Sequence, residues 1–422
     1  MPSINFFRFI KDYSFKNQPL YLVCLMMLFW SIFDGIMSYV SPLIITSDGL
    51  SKTMMGIIIG TSSISGAIFD FLVCRIFKNT YYKRFFMFMF AVCLVYPLIL
   101  FHAKTIFIYL IAMSLWGIYY DFKNIGNFDY ISRYTGKDAH SQSFGLLQFF
   151  ISIGYLIAPI MVGFILVENV TWKPFALAYI FLIVSITFFL VLILINKKNG
   201  IKEIKSECHT SENAWSEMIL WGRIGKILFP VLILMLFLNI LDSFFWTIGP
   251  LLAESLAEIH QFAGFFMTAY SLPALLVGWT IGRITGKFGK KRTAFLSLIV
   301  GSFFLSLIYF IQNPVFVILD IFVSSIFTAM AWPAINGAFA DYISETLVYE
   351  KEIEGIEDFY CNLGYVIGPM TAGFIADMLG NSGAFSLIGV CGMIIGLSLL
   401  IFAPKKINLK RELKNAQVQN IS

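Results

Sequence analysis

The chain has 422 residues, of which 58% are hydrophobic and only 13% charged, with a mean hydropathy of +0.80. A water-soluble domain needs more charge to cover its surface, so the composition excludes that class and selects an all-α, multi-pass membrane protein. The net charge of +5 concentrates in particular loops, which points to membrane orientation and away from a nucleic-acid partner.

Taken in order, the chain shows twelve apolar runs long enough to cross a bilayer, whose hydrocarbon core of about 30 Å needs about 20 residues of helix. Six lie near 20–45, 53–77, 84–102, 106–131, 143–167 and 174–195, and six near 227–253, 261–285, 293–311, 314–343, 356–379 and 383–403. The segment 1–195 is therefore read as one six-helix half and 227–403 as a second. Between them lies a basic linker (196–226), and a basic, disordered tail (404–422) follows.

An even number of spans puts both termini on one side. With that side inside, Lys52, Lys104 and Lys173 fall outside and Lys123 within a span, leaving 26 of the 30 Lys and Arg in termini or inner loops. Both termini are therefore expected in the cytoplasm. Arg8, Lys11 and Lys16 among Phe6, Phe7 and Phe9 offer no cleavable signal peptide. In the linker, Ala214–Lys226 (AWSEMILWGRIGK) has the make-up of an amphipathic helix on the inner leaflet. The six cysteines and four histidines show no disulfide or zinc spacing, and neither a metal nor a cofactor is expected.

The second half repeats the first. Leu28–Leu43 (LFWSIFDGIMSYVSPL) returns 208 positions later as Leu236–Leu251 (LFLNILDSFFWTIGPL), restoring Asp34 as Asp242 and Pro42 as Pro250. Arg75, Lys83 and Arg84 return as Arg283, Lys291 and Arg292. DYIS at Asp129 recurs at Asp341, and GYLIAPIMVGF from Gly154 recurs at an offset of 210 as GYVIGPMTAGF from Gly364. Halves repeated in the same direction imply a pseudo-two-fold axis along the membrane normal.

With these motifs the sequence resembles the major facilitator superfamily over almost its whole length, nearest to the 12-span drug/proton antiporter branch. The family's loop between the second and third spans reads like G-x-x-x-D-R-x-G-R-R. Here Gly282, Gly286, Lys287, Gly289, Lys290, Lys291 and Arg292 match it, with Gly286 in place of the aspartate. The first half keeps only Lys83 and Arg84 of the basic pair, with Lys78 at the aspartate's place. The resemblance assigns this loop to the inward gate. The family's fifth-span motif, associated with exporters, matches at Gly154, Ala158, Pro159 and Gly163, and more fully at Gly364, Gly368, Pro369 and Gly373. Such small residues also serve plain helix packing. Proton antiporters carry an Arg four residues before a fourth-span Gly, where this chain has Met113 before Gly117.

The resemblance implies that spans 1, 4, 7 and 10 line a central cavity. Intramembrane charge, which costs at least about 3 kcal/mol unless it faces protein or water, concentrates in those spans: Asp34, Asp121 with Lys123, Asp242 and Asp320. Helical spacing stacks Trp30 and Asp34 on one stripe, Trp116, Tyr120, Lys123 and Asn127 on a second, Asn239, Asp242 and Trp246 on a third, and Trp332 with Asn336 on a fourth. These are the candidate substrate- and proton-binding residues. Two roles stay open for Asp34 and Asp242: buried structural carboxylates, or groups that take and release a proton or pair with a cationic substrate. Arg75, Lys83, Arg84, Arg283, Lys287, Lys291, Arg292, Asp129 and Asp341 are the candidate gate.

The function expected is secondary transport of a small organic molecule by alternating access, with proton-coupled export the first reading. Uptake or facilitated diffusion of a metabolite is the alternative, and a sensor that keeps the fold without transporting is a third. No GxxxxGK[ST] loop supports ATP hydrolysis, and no span carries the paired His or Ser/Lys dyad of a membrane enzyme. A monomer in the cell membrane is expected, its partners being the substrate, protons and lipid.

Overall fold

The computed structural model describes residues 18–76, 81–134, 140–165, 171–198, 214–257, 259, 265–277, 281–345 and 350–404. In chain order its helices are α1 (Gln18–Ser47), α2 (Lys52–Ile76), α3 (Tyr82–His102), α4 (Ile106–Tyr134), α5 (His140–Ile165), α6 (Trp172–Lys198), α7 (Ala214–Ala257), α8 (Phe266–Val277), α9 (Ile281–Phe288), α10 (Lys290–Leu307), α11 (Pro314–Glu345) and α12 (Glu350–Phe402). Among the described residues the regular structure is helical throughout. Helices satisfy every backbone polar group within their own segment, as a bilayer demands. Nine helices among the described residues are long and apolar enough to span a membrane. The surface is apolar to match, with Phe107, Phe164, Phe310 and Phe402 all more than 70% exposed.

The eleventh and twelfth spans are two helices that meet at Gly380 (φ +75°, ψ 170°), between the expected spans 356–379 and 383–403; a positive φ is open to glycine at little cost. Two elements differ from the sequence reading. The stretch from Ala214 is helical but runs on without interruption into the seventh span, so that α7 is 44 residues long. α4 is absent from the nine apolar spans because Asp121, Lys123, Asn127 and Asp129 lower its hydropathy. The N-terminal residues 1–17, the linker residues 199–213 with Cys208, the 135–139 loop and the tail from 405 lie outside the described residues.

Packing groups the chain into two compact units, one of Met1–Ile44 with Ser65–His209, the other of Ile45–Ile64 with Thr210–Ser422. In the first, α5 packs tightly on α1. A Cβ added at Gly154 would meet the Leu28 carbonyl at 2.7 Å and run into Ser31 Oγ, and one at Gly35 would meet Ala158 Cβ at 2.7 Å. In the second, α12 packs on α7 in the same way: a Cβ at Gly364 would lie 2.6 Å from Asn239 Cβ and 2.9 Å from the Leu236 carbonyl. Leu236 and Asn239 are the repeat equivalents of Leu28 and Ser31. The N-terminal part of α2 rests on the same helix α12, where Asp377 accepts hydrogen bonds from the Thr53 backbone N–H (2.8 Å) and hydroxyl (2.5 Å) and from the Lys52 N–H (3.1 Å).

Candidate functional site

In the first unit the tight α1–α5 contact carries Tyr155, the neighbour of Gly154, onto Asp34. The Asp34 side chain is 1% exposed. Its Oδ1 accepts hydrogen bonds from the Tyr119 hydroxyl at 2.5 Å and the Trp116 indole N–H at 3.1 Å, and its Oδ2 accepts one from the Tyr155 hydroxyl at 2.7 Å. Two phenols and one indole therefore surround the carboxylate, as bonds to a charged acceptor are the strong ones. Tyr119 is itself held edge-on to Trp30, with centroids 6.1 Å apart, and against Tyr96 at 5.6 Å. Tyr96 is anchored in turn by Ser41, oxygen to oxygen 2.8 Å.

The cation of this half lies alongside. Lys123, 5% exposed, places Nζ 3.6 Å from the Tyr120 ring centroid and 5.2 Å from that of Trp30, and feels the charges of Asp34 and Asp121. A desolvated cation–π contact contributes about 2 kcal/mol, so these faces stabilise an ammonium taken out of water.

The second unit builds the same surroundings from other parts. Asp242 accepts a short hydrogen bond from Tyr270 on α8 and one of 2.7 Å from Tyr365 on α12, with Trp246 a turn further along α7. Tyr270 is stacked on Phe245 at 3.7 Å, which fixes its hydroxyl. Again two phenols hold the carboxylate. Tyr155 and Tyr365 are repeat equivalents; the other donors are not. No cation stands beside Asp242 as Lys123 stands beside Asp34 among the groups that act on it.

The structure thus gathers Trp30, Asp34, Trp116, Tyr120 and Lys123 in one half and Asp242 with Trp246 in the other. Two other expected members make separate contacts. Asn239 turns back to its own helix, donating to the Met235 carbonyl at 2.8 Å, because its Cβ side is filled by Gly364. Asn127 faces the Met27 sulfur at 3.5 Å and not the aspartate. Trp332 is half-buried and Asn336 exposed on α11. Tyr119, Tyr155, Tyr270 and Tyr365 were absent from the sequence reading, although Tyr155 and Tyr365 are the second residue of each repeated GY segment.

The gate candidates are more dispersed. Asp341 pairs with Lys290, absent from the expected set, at 2.6 Å, and Lys290 also donates to the Gly337 carbonyl. Lys291 reaches the Pro404 carbonyl at 2.8 Å, Lys287 lies 5.4 Å from the Phe288 ring, and Arg84 and Arg292 are exposed while Lys83 is half-buried and Asp129 buried. The side chains of Arg75 and Arg283 lie outside the described part. Of the packing glycines, Gly368 faces Ser243 and Gly373 faces the Lys52 carbonyl, both inside van der Waals contact. Pro159 and Pro369 lie within α5 and α12.

Duplicated apolar helix bundles with a ringed intramembrane carboxylate in each half define a polytopic carrier. The pattern of the Major Facilitator Superfamily matches residues 20–255 and 231–420, and the chain belongs to that family: it is a multi-pass integral membrane transporter rather than an enzyme. The chain is 24% identical over 289 residues to Multidrug resistance protein 2 of Bacillus subtilis (strain 168), across 66% of this chain and 68% of that one. In fold it is similar to the nucleoside transporter NupG, with TM-score 0.71 and 13% identity over 92% of this chain and 100% of that one. It is also similar to a peptide transporter POT solved with sulfate, with TM-score 0.73 and 12% identity over 92% and 94%.

Proposed function

We propose that this protein is a secondary active transporter that exports a small organic molecule by alternating access, driven by protons. The observation that carries the reading is the pair of aspartates at repeat-equivalent depth, each held by two phenols. Structural carboxylates alone would not call for a separately assembled donor set in each half. Asp34 and Asp242 are the groups that couple to protons or meet a positive charge on the substrate, and Lys123 compensates Asp34. Trp30, Trp116, Tyr120 and Trp246 supply flat apolar surface beside them. The match to a multidrug resistance protein supports export.

On this reading the chain crosses the cell membrane twelve times with both termini cytoplasmic, as a monomer. Residues 1–195 and 227–403 act as the two moving halves, with 196–226 the linker and 404–422 a cytoplasmic tail, and the basic clusters between spans bias the conformational balance. Uptake or facilitated diffusion is the second reading, favoured by Met113 at the position of the antiporters' arginine.

The test is transport by purified protein in proteoliposomes, with and without a pH gradient, against labelled organic cations, nucleosides and short peptides. Accumulation of a compound only when a gradient is imposed supports proton coupling, and its direction decides export. Equilibration without accumulation favours facilitated diffusion, and no flux of any class removes the transport reading.

A further inference from the structure

A third intramembrane carboxylate, Asp320 on α11, stands apart from the two ringed ones. It is 9% exposed, and its Oδ2 has no hydrogen-bond partner among the described residues. Asp34 takes three donors and Asp242 two; Asp320 Oδ2 takes none.

Its setting is defined by helical periodicity. Val315, Phe316 and Leu319 are 40%, 61% and 51% exposed, whereas Val317, Asp320, Ile321, Ser324 and Thr328 are buried, so Asp320 belongs to the inward face of α11. That face packs on α10: Ser324 Oγ donates to the Gly301 carbonyl at 2.8 Å, and a Cβ at Gly301 would meet Thr328 Cγ2 at 2.8 Å. Asp320, Ser324 and Thr328 follow at intervals of four residues, a polar line on the helix–helix contact. The line begins about 9 Å from Pro314, the first residue of the helix.

No cation is at hand among the described residues. Between Thr293 and Leu307 α10 carries no titratable residue, and exposed Tyr309 follows it. Elsewhere on the elements packed against α11, the titratable groups in or near the bilayer are Tyr270 on α8, Asp242 and Glu254 on α7, and Glu357, Asp358, Tyr360, Cys361, Tyr365, Asp377 and Cys391 on α12, none of them a cation. The described basic residues Lys287, Lys290, Lys291 and Arg292 lie toward the other end of α11, where Lys290 holds Asp341. Asp341 is about 32 Å away along the helix at 1.5 Å per residue. A buried carboxylate with neither donors nor a counter-charge is strongly disfavoured, and neutralisation is the usual resolution.

We infer that Asp320 is a proton-binding site distinct from the ringed aspartates: it holds a proton in the conformation described and is a further carboxyl through which protons load. Its proton-coupling role rests on the transport reading above, but its protonation does not. Asp34 and Asp242, wrapped in donors, serve the site where substrate charge and a coupled proton meet, while Asp320 exchanges a proton of its own when its side of the α10–α11 contact meets water.

Infrared difference spectroscopy of the full chain in lipid nanodiscs near neutral pH tests this. A protonated-carboxyl stretch that shifts in heavy water is expected in wild type, in Asp34→Asn and in Asp242→Asn. It should be lost in Asp320→Asn and return, shifted, in Asp320→Glu, the second variant guarding against a misfolded first one. A spectrum unchanged by Asp320→Asn overturns the proposal, as does a band that sodium or potassium converts to carboxylate, which would make this a metal-cation site. In proteoliposomes Asp320→Asn should lose pH-driven accumulation at least tenfold while retaining substrate exchange; wild-type accumulation in the variant overturns the coupling role. Wild-type protein that moves no compound sinks the transport reading, and the infrared result still decides the proton site.

Discussion

Replacing Tyr365 with Phe removes one hydroxyl from Asp242 and leaves the ring in place, so it isolates a single bond of the second half's site. Hydrogen bonds inside membrane proteins average about 0.6 kcal/mol in double-mutant cycles and reach about 1.7, while bonds to charged groups contribute about 1.5–3 kcal/mol in soluble proteins. The Tyr365 bond is 2.7 Å long and ends on a carboxylate, which places it at the upper end of the membrane range. The expected loss for Tyr365→Phe is about 1.5 kcal/mol of unfolding free energy, roughly tenfold in the equilibrium. A cycle with Asp242→Asn, which keeps an acceptor but removes the charge, should retain about 1 kcal/mol of coupling. Reversible unfolding in mixed micelles, read by tryptophan fluorescence, measures all four corners. A coupling within about 0.5 kcal/mol of zero, the ordinary scatter of additivity, would refute the view that the phenol acts through the aspartate's charge. The same cycle at Tyr155 and Asp34 should give a similar value, since that bond is likewise 2.7 Å long and ends on a carboxylate.

Asp34→Asn and Asp242→Asn keep shape while removing ionisation, and at least one should abolish gradient-driven accumulation in proteoliposomes while substrate exchange or binding survives; wild-type pH dependence in both would make these aspartates structural. Gly364→Ala forces a Cβ to within 2.6 Å of Asn239 and should cost about 1–3 kcal/mol, whereas Gly286→Ala meets nothing within 4 Å and should change stability by less than about 0.5 kcal/mol; equal melting shifts for the two would contradict the packing account. Cys208 should resist an impermeant thiol reagent applied outside intact cells, and labelling from outside would reverse the proposed orientation.

The helices and the two principal aspartates were legible in the sequence because bilayer burial leaves a blunt signal. A run of about 20 apolar residues matches the thickness of the hydrocarbon core, and a carboxylate inside such a run is conspicuous. The tyrosines were not legible: in a chain with 19 Tyr and 45 Phe, composition does not mark which phenol will face a carboxylate. Tyr119 and Tyr270 become donors only because neighbouring helices bring them to Asp34 and Asp242, a tertiary fact with no local trace. The contact of Asn239 was not legible either, for the opposite reason. Its helical stripe was right, but the amide could satisfy itself on the Met235 carbonyl, a choice that helices always offer a short polar side chain. The break at Gly380 was legible as the gap between the spans 356–379 and 383–403, while its positive φ left no mark on hydropathy.

The packing beneath the two aspartates has a consequence for how freely the halves can exchange parts. At one contact in the first half, glycine is on the first helix (Gly35) and the methyl on the fifth (Ala158). At the equivalent contact in the second half the assignment is inverted: the side chain is on the first helix (Ser243) and glycine on the fifth (Gly368). Each contact retains one glycine, on opposite partners. After the duplication these positions became a matched lock in each half, free to drift only together. A chimera carrying the second half's first helix in the first half would set Ser against Ala where one of them must be Gly. The reverse graft would leave two glycines and a void. The repeated helices, alike as sequences, are no longer interchangeable as parts.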